Sequence, residues 1–126
     1  MSISTRNPEV VGIDMSGYMV KDTQRALRFY RDVLGLEPTT VYPDDKGAEY
    51  EFPDGTTFGL WNGGPEMPWQ PGNGVLFAVT DFEAAVGRAK EHGATFAMQE
   101  ESPSCFMAMT EDSEGNYVIL HKRKSP

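Results

Sequence analysis

Val20-Lys21-Asp22, followed by Phe29-Tyr30-Arg31-Asp32-Val33-Leu34-Gly35-Leu36, is the stretch from which the rest of the chain is read. Asp22 carries the short carboxylate that accepts hydrogen bonds from the free amides of a first helical turn. Over residues 23–34, Ala26, Tyr30, Val33 and Leu34, with Leu27 and Phe29 beside them, recur at three- and four-residue steps and predict an amphipathic helix that Gly35 ends. Upstream, residues 15–20 read as a strand. Its alternation puts Met15, Gly17 and Met19 on one face, with Tyr18 and Val20 on the other, toward the helix. Downstream, residues 39–42, 48–52 and 57–61 are short strands, parted by the turns Asp44-Asp45-Lys46-Gly47 and Pro53-Asp54-Gly55.

The same order returns further along. Residues 75–79 form a strand and Asp81 caps a second helix, whose apolar positions are Phe82, Ala85, Val86 and Ala89 and which His92 and Gly93 end. Residues 94–99, 105–110 and 116–121 supply the closing strands. Adding 59 takes Val20, Asp22 and Ala26 to Val79, Asp81 and Ala85; adding 60 takes Gly55, Leu60 and Trp61 to Gly115, Leu120 and His121. Matches at the cap, the helix and the last turn together identify an internal duplication. At 126 residues the chain has room for one shared core, not two independent ones. The expected organisation is an N-terminal tail over 1–10, a first module over 11–62, a Pro/Gly-rich linker over 63–73 and a second module over 74–124.

The Val-Lys-Asp and Phe-Tyr-Arg-Asp-Val-Leu-Gly segments, with the ending Glu111-Asp112-Ser113-Glu114-Gly115-Asn116, closely resemble the vicinal oxygen chelate superfamily. That superfamily contains glyoxalase I, extradiol dioxygenases, fosfomycin resistance enzymes and bleomycin resistance proteins. The resemblance covers residues 11–124 and implies an α+β fold of two paired βαβββ modules, with curved sheets around a cavity and the helices outside. Metal-dependent members take His or Glu ligands from the first and last strand of each module. In this chain those four positions fall on Met15, Gly59, Gly74 and Ile119, none of which suits a divalent cation of that class. No metal or other cofactor is therefore expected.

What remains for chemistry is an apolar and aromatic cavity wall. Met15, Met19, Trp61, Leu76, Tyr117 and Ile119 are its candidate residues, with Trp69 and Met67 reaching in from the linker and Tyr117, His121 and Asn73 fixing orientation. This favours a binding protein for an aromatic or hydrophobic small molecule, in a resistance or sequestration role. The alternative is a lyase, isomerase or dioxygenase that uses a non-standard metal site, or His121 and Tyr117 as acid and base. His92, at a helix end, and Cys105, with no basic neighbour or helix start to activate it, read as structural.

A formal charge of -8, from 11 Lys and Arg against 19 Asp and Glu, disfavours nucleic acid and anionic membranes as partners. One cysteine fits a reducing cytoplasm, and no window approaches the apolar length of a membrane span. A homodimer is expected, with modules pairing either within a chain or between two chains.

Overall fold

In a computed structural model of the chain, residue 9 and residues 13–66, 69–72 and 74–125 are described. The anticipated tail over 1–10 lies almost wholly outside them.

Both helices form where their caps predict. Asp22 Oδ1 accepts from the Arg25 amide at 3.0 Å to open α1, Thr23–Asp32, and Asp81 Oδ1 accepts from the Ala84 amide at 3.0 Å to open α2, Phe82–Glu91. Gly35, at φ 73°, turns the chain out of α1. At the end of α2 the Gly93 amide returns to Lys90 O and the Ala94 amide to Ala89 O, the paired bonds of a Schellman stop. The backbone of His92, not its ring, meets the terminal carbonyls.

Eight strands make two four-stranded sheets. β1 (Met15–Met19), β2 (Thr40–Tyr42), β3 (Gly47–Glu51) and β4 (Thr57–Trp61) take the order β1-β4-β3-β2. β5 (Val75–Ala78), β6 (Met98–Glu101), β7 (Cys105–Glu111) and β8 (Tyr117–Arg123) take the order β5-β8-β7-β6. In each sheet the first and last strands of the module run parallel, and the remaining pairs are antiparallel. The duplication is visible in the register: Met19 pairs with Trp61 and Ala78 with His121, and the amides of Val20 and Val79 donate to the carbonyls of Trp61 and His121 at 2.9 and 3.0 Å. The fold is thus the α+β pair of βαβββ modules expected from sequence.

Most boundaries shift by one or two residues, and one strand start moves further. The strand expected over 94–99 starts at Met98, because Ala94 is taken up in leaving α2 and the Thr95 carbonyl accepts the Thr110 hydroxyl at 2.7 Å.

Each helix covers one face of its sheet. Tyr18, Val20, Ala48, Tyr50, Phe58 and Leu60 from the first sheet, with Ala26 and Tyr30 of α1, meet Phe77, Ala108, Val118 and Leu120 of the second in one core. Phe58 and Phe77 join the halves edge to face, with ring centroids 4.9 Å apart. Polar contacts fix the junction: the Tyr18 hydroxyl accepts from the Val75 amide at 2.6 Å and donates to the Tyr117 carbonyl. Burial, opposed by the Val75 bond, pushes the Tyr18 phenol up to about 12. Among the described residues the opposite face of both sheets carries no α-helix, and the curved sheets do not close upon each other.

Candidate binding site on the open sheet faces

Because Tyr18, Phe58 and Leu60 face the helices, strand alternation obliges Met15, Met19 and Trp61 to face the other way. The same holds in the second sheet, where Phe77, Val118 and Leu120 are buried and Leu76, Tyr117, Ile119 and His121 line the open face. Met15 is 36% exposed, Leu76 50% and Tyr117 41%.

Across the first sheet, one row reads Met19, Trp61, Gly47, Tyr42 and the next Gly17, Gly59, Glu49, Thr40. The two glycines beside Trp61 explain its pose. A Cβ on Gly59 would come within 2.9 Å of Trp61 Nε1, and one on Gly47 within 3.0 Å of Trp61 Cε3. The indole therefore packs against both glycines, where a side chain on Gly59 would also meet Met15 and one on Gly47 the Leu60 carbonyl. Tyr42 lies beside it, ring centroids 5.5 Å apart at 35°, and donates its hydroxyl to Glu49 Oε2 at 2.7 Å. That hydrogen bond, helped by desolvation, raises the Tyr42 phenol above its ordinary value and keeps it a donor.

The corresponding rows of the second sheet read Ala78, His121, Met107, Glu100 and Leu76, Ile119, Met109, Met98. Where the first module offers indole, phenol and carboxylate, the second offers thioethers and branched aliphatics together with His121 and Glu100. Soft, adaptable thioethers suit a greasy or aromatic surface of varied shape.

Met98, Met107, Met109, Tyr42 and Glu49 were not among the residues singled out from the sequence as cavity wall. Their alternation was readable, but their neighbours follow from cross-strand register, which no sequence pattern gives. Trp69 is placed at the edge of this surface by a 3.0 Å bond from its Nε1 to the Met19 carbonyl, with Lys21 Nζ 4.2 Å from its ring centroid. Met67 and Asn73 lie outside the described residues. Cys105 stands half-buried at the start of β7, its Sγ 3.4 Å from Ser102 Oγ.

The four family ligand positions meet two by two. A Cβ on Gly59 would lie 2.9 Å from Met15 Cε, and one on Gly74 2.9 Å from Ile119 Cδ1. One thioether among two glycines and an isoleucine offers no oxygen or nitrogen donor, so these residues do not fit a divalent cation. Among the described residues no group of three or more His, Cys, Asp or Glu converges to hold one elsewhere. His121 and Tyr117 share a face of β8 but stand four residues apart, about 13 Å at the usual strand rise. A single proton relay cannot use both directly.

Nor does one chain bring all the candidates into one enclosed space. Met15, Met19 and Trp61 belong to one sheet, and Leu76, Tyr117, Ile119 and His121 to the other. A cleft of about 630 Å³ runs past Leu76, Ala78 and His121 to Asp54 and Lys122. Another, of about 490 Å³, lies between residues 52–58 and β5. Neither is lined by Trp61.

Two modules of strand, helix and three strands, with the first and last strands parallel, define the class. Residues 12–120 match the Glyoxalase/Bleomycin resistance protein/Dioxygenase superfamily, and the chain belongs to that superfamily. Among solved structures, it is similar to TnmS3, an antibiotic binding protein from a Streptomyces species, at 23% identity and a TM-score of 0.75, over 91% of this chain and 98% of that one. A glyoxalase/bleomycin resistance protein from Catenulispora acidiphila matches at 26% identity and 0.69, over 88% and 98% of the two chains. A glyoxalase/bleomycin resistance protein from a Streptomyces species matches at 25% and 0.70, over 84% and 96%. No curated protein matches the sequence. Among the described residues no helix is long and apolar enough to cross a membrane.

Proposed function

We propose that this protein binds an aromatic or hydrophobic small molecule on its open sheet faces, without a metal at the family's ligand positions, and serves to sequester it. The observation that carries this is the Trp61 indole packed against Gly47 and Gly59 on the open face, an aromatic surface backed by sheet. Tyr42 extends the platform, and Met107, Met109, Ile119 and Leu76 supply a second apolar surface from the matching module. Superfamily membership supports the reading, and so does the antibiotic-binding description of TnmS3, a protein of the same fold. Acid–base catalysis by His121 and Tyr117 is disfavoured by their spacing along β8.

The open faces also support a homodimer in which the apolar surface of one chain is covered by another, so that a complete pocket needs two copies. The modules then correspond to residues 11–62 and 74–124, with 63–73 joining them.

The binding reading is tested by thermal shift and tryptophan fluorescence against planar antibiotics and aromatic metabolites. At least one compound should raise Tm and quench the fluorescence, and Trp61→Ala should weaken its binding about tenfold or more, as expected on losing an aromatic stacking surface. A protein that no compound stabilises, or a Trp61→Ala variant that binds as before, overturns it.

A further inference from the structure

The first module carries charge information as well as shape. Glu49 is half-buried on β3, directly across from Gly59, on the same sheet face as Trp61. Tyr42 occupies Oε2 alone. The ion pairs among the described residues are Arg25–Glu114, Arg31–Asp32 and Lys124–Glu101, and none involves Glu49. The ammonium of Lys21 is engaged over Trp69. Two residues along the same face stands a second carboxylate, Glu51, across from Thr57.

An anion on the same sheet face as an indole, with no countercharge paired to it among the described residues, is a receptor for a cation with a ring attached. The ring gains stacking and the positive charge gains both the π-face and the carboxylate. A formal charge of -8 on the chain favours the approach of such a ligand and opposes an anion. Building on the binding role proposed above, we propose that the ligand class is flat aromatic cations, the ring lying on Trp61 and a protonated nitrogen meeting Glu49.

Three planar probes of similar size separate this from binding in general: proflavine, a cation at neutral pH; phenazine, neutral; and anthraquinone-2-sulfonate, an anion. Each is titrated into wild type, Glu49→Gln, Glu49→Asp, Glu51→Gln and Trp61→Ala, with melting curves confirming folding. Proflavine should bind best to wild type. Glu49→Gln should weaken proflavine about three- to tenfold, the range for one partly exposed charge contact, and leave phenazine unchanged. Glu49→Asp should retain most of the affinity, Glu51→Gln should change it little, and Trp61→Ala should weaken proflavine and phenazine together. If Glu49→Gln leaves proflavine unchanged, or the sulfonate binds wild type as tightly as proflavine, the cation assignment is wrong while the aromatic platform stands. If no probe binds, or Trp61→Ala changes none, the platform goes too, and the assignment with it.

Discussion

Tyr30 and Tyr50 are neighbouring phenols in the core, with ring centroids 6.2 Å apart, and their hydroxyls meet opposite conditions. Tyr30 donates to Asp112 Oδ2 at 2.8 Å, and burial together with the Asp112 charge holds its phenol well above the ordinary range. Tyr50 is also buried, but its hydroxyl has no partner among the described residues, and burial pushes it up to about 12. A buried donor without an acceptor costs its desolvation and gains nothing in return. Tyr50→Phe should therefore be neutral, or stabilise by about 1 kcal/mol, whereas Tyr30→Phe should cost about 1–2 kcal/mol. Urea denaturation of both variants checks this, and a Tyr50→Phe loss as large as that of Tyr30→Phe would show that the Tyr50 hydroxyl has a partner in solution.

Among the elements, the two strand-connecting turns over 52–56 and 112–116 are the instructive pair. Their backbones match: the amides of Phe52 and Asp112 donate to the carbonyls of Thr56 and Asn116 at 2.9 Å, and each turn has its glycine at the same place. Their acidic residues diverge. Asp54 bonds only within its own turn, to the amide and hydroxyl of Thr56. Glu114, one methylene longer, reaches across the junction to the amides of Lys21 and Asp22 at 2.9 and 3.0 Å and to Arg25 Nη2 at 2.9 Å, locking the second module to the start of α1. The 490 Å³ cleft opens at the first turn, where the duplicate of this lock is missing.

Burial alone would raise the Glu114 carboxyl, but the Lys21 amide, Arg25 and the Asp22 amide outweigh it and hold the group below its ordinary value. The sign follows. A depressed folded-state pKa contributes stability that is complete above the unfolded value, about 4.3, and is lost as pH falls through the folded value. Glu114→Gln should cost about 2 kcal/mol at pH 7 and flatten the loss of stability below about pH 4. Urea midpoints measured from neutral to acid pH test it; parallel declines in wild type and variant would show that the lock contributes no pH dependence.

For the whole molecule, two helices cover one face of each sheet, and the opposite faces keep Met15, Leu76 and Tyr117 in solvent. If a second copy covers them, sedimentation or light scattering should give twice the mass of one chain. Leu76→Glu, half-exposed and outside the core, should then yield a folded protein of single-chain mass, since burying an unpaired carboxylate at the contact costs several kcal/mol. A monomeric wild type would refute this, and so would a Leu76→Glu variant that still dimerises.

The sequence by itself determined the duplication, the two caps at Asp22 and Asp81, and the face alternation of the first and last strand of each module. These depend on local periodicity and on offsets along the chain, which survive without coordinates. Tertiary structure decided what those residues do together. The packing of Trp61 needs Gly59 on its own strand and Gly47 across from it; the Tyr42–Glu49 bond needs the register of β2 against β3; the reach of Glu114 needs the two modules docked. The contacts that make the platform and the lock lie between strands or between modules, where register and packing, not sequence spacing, set the distances.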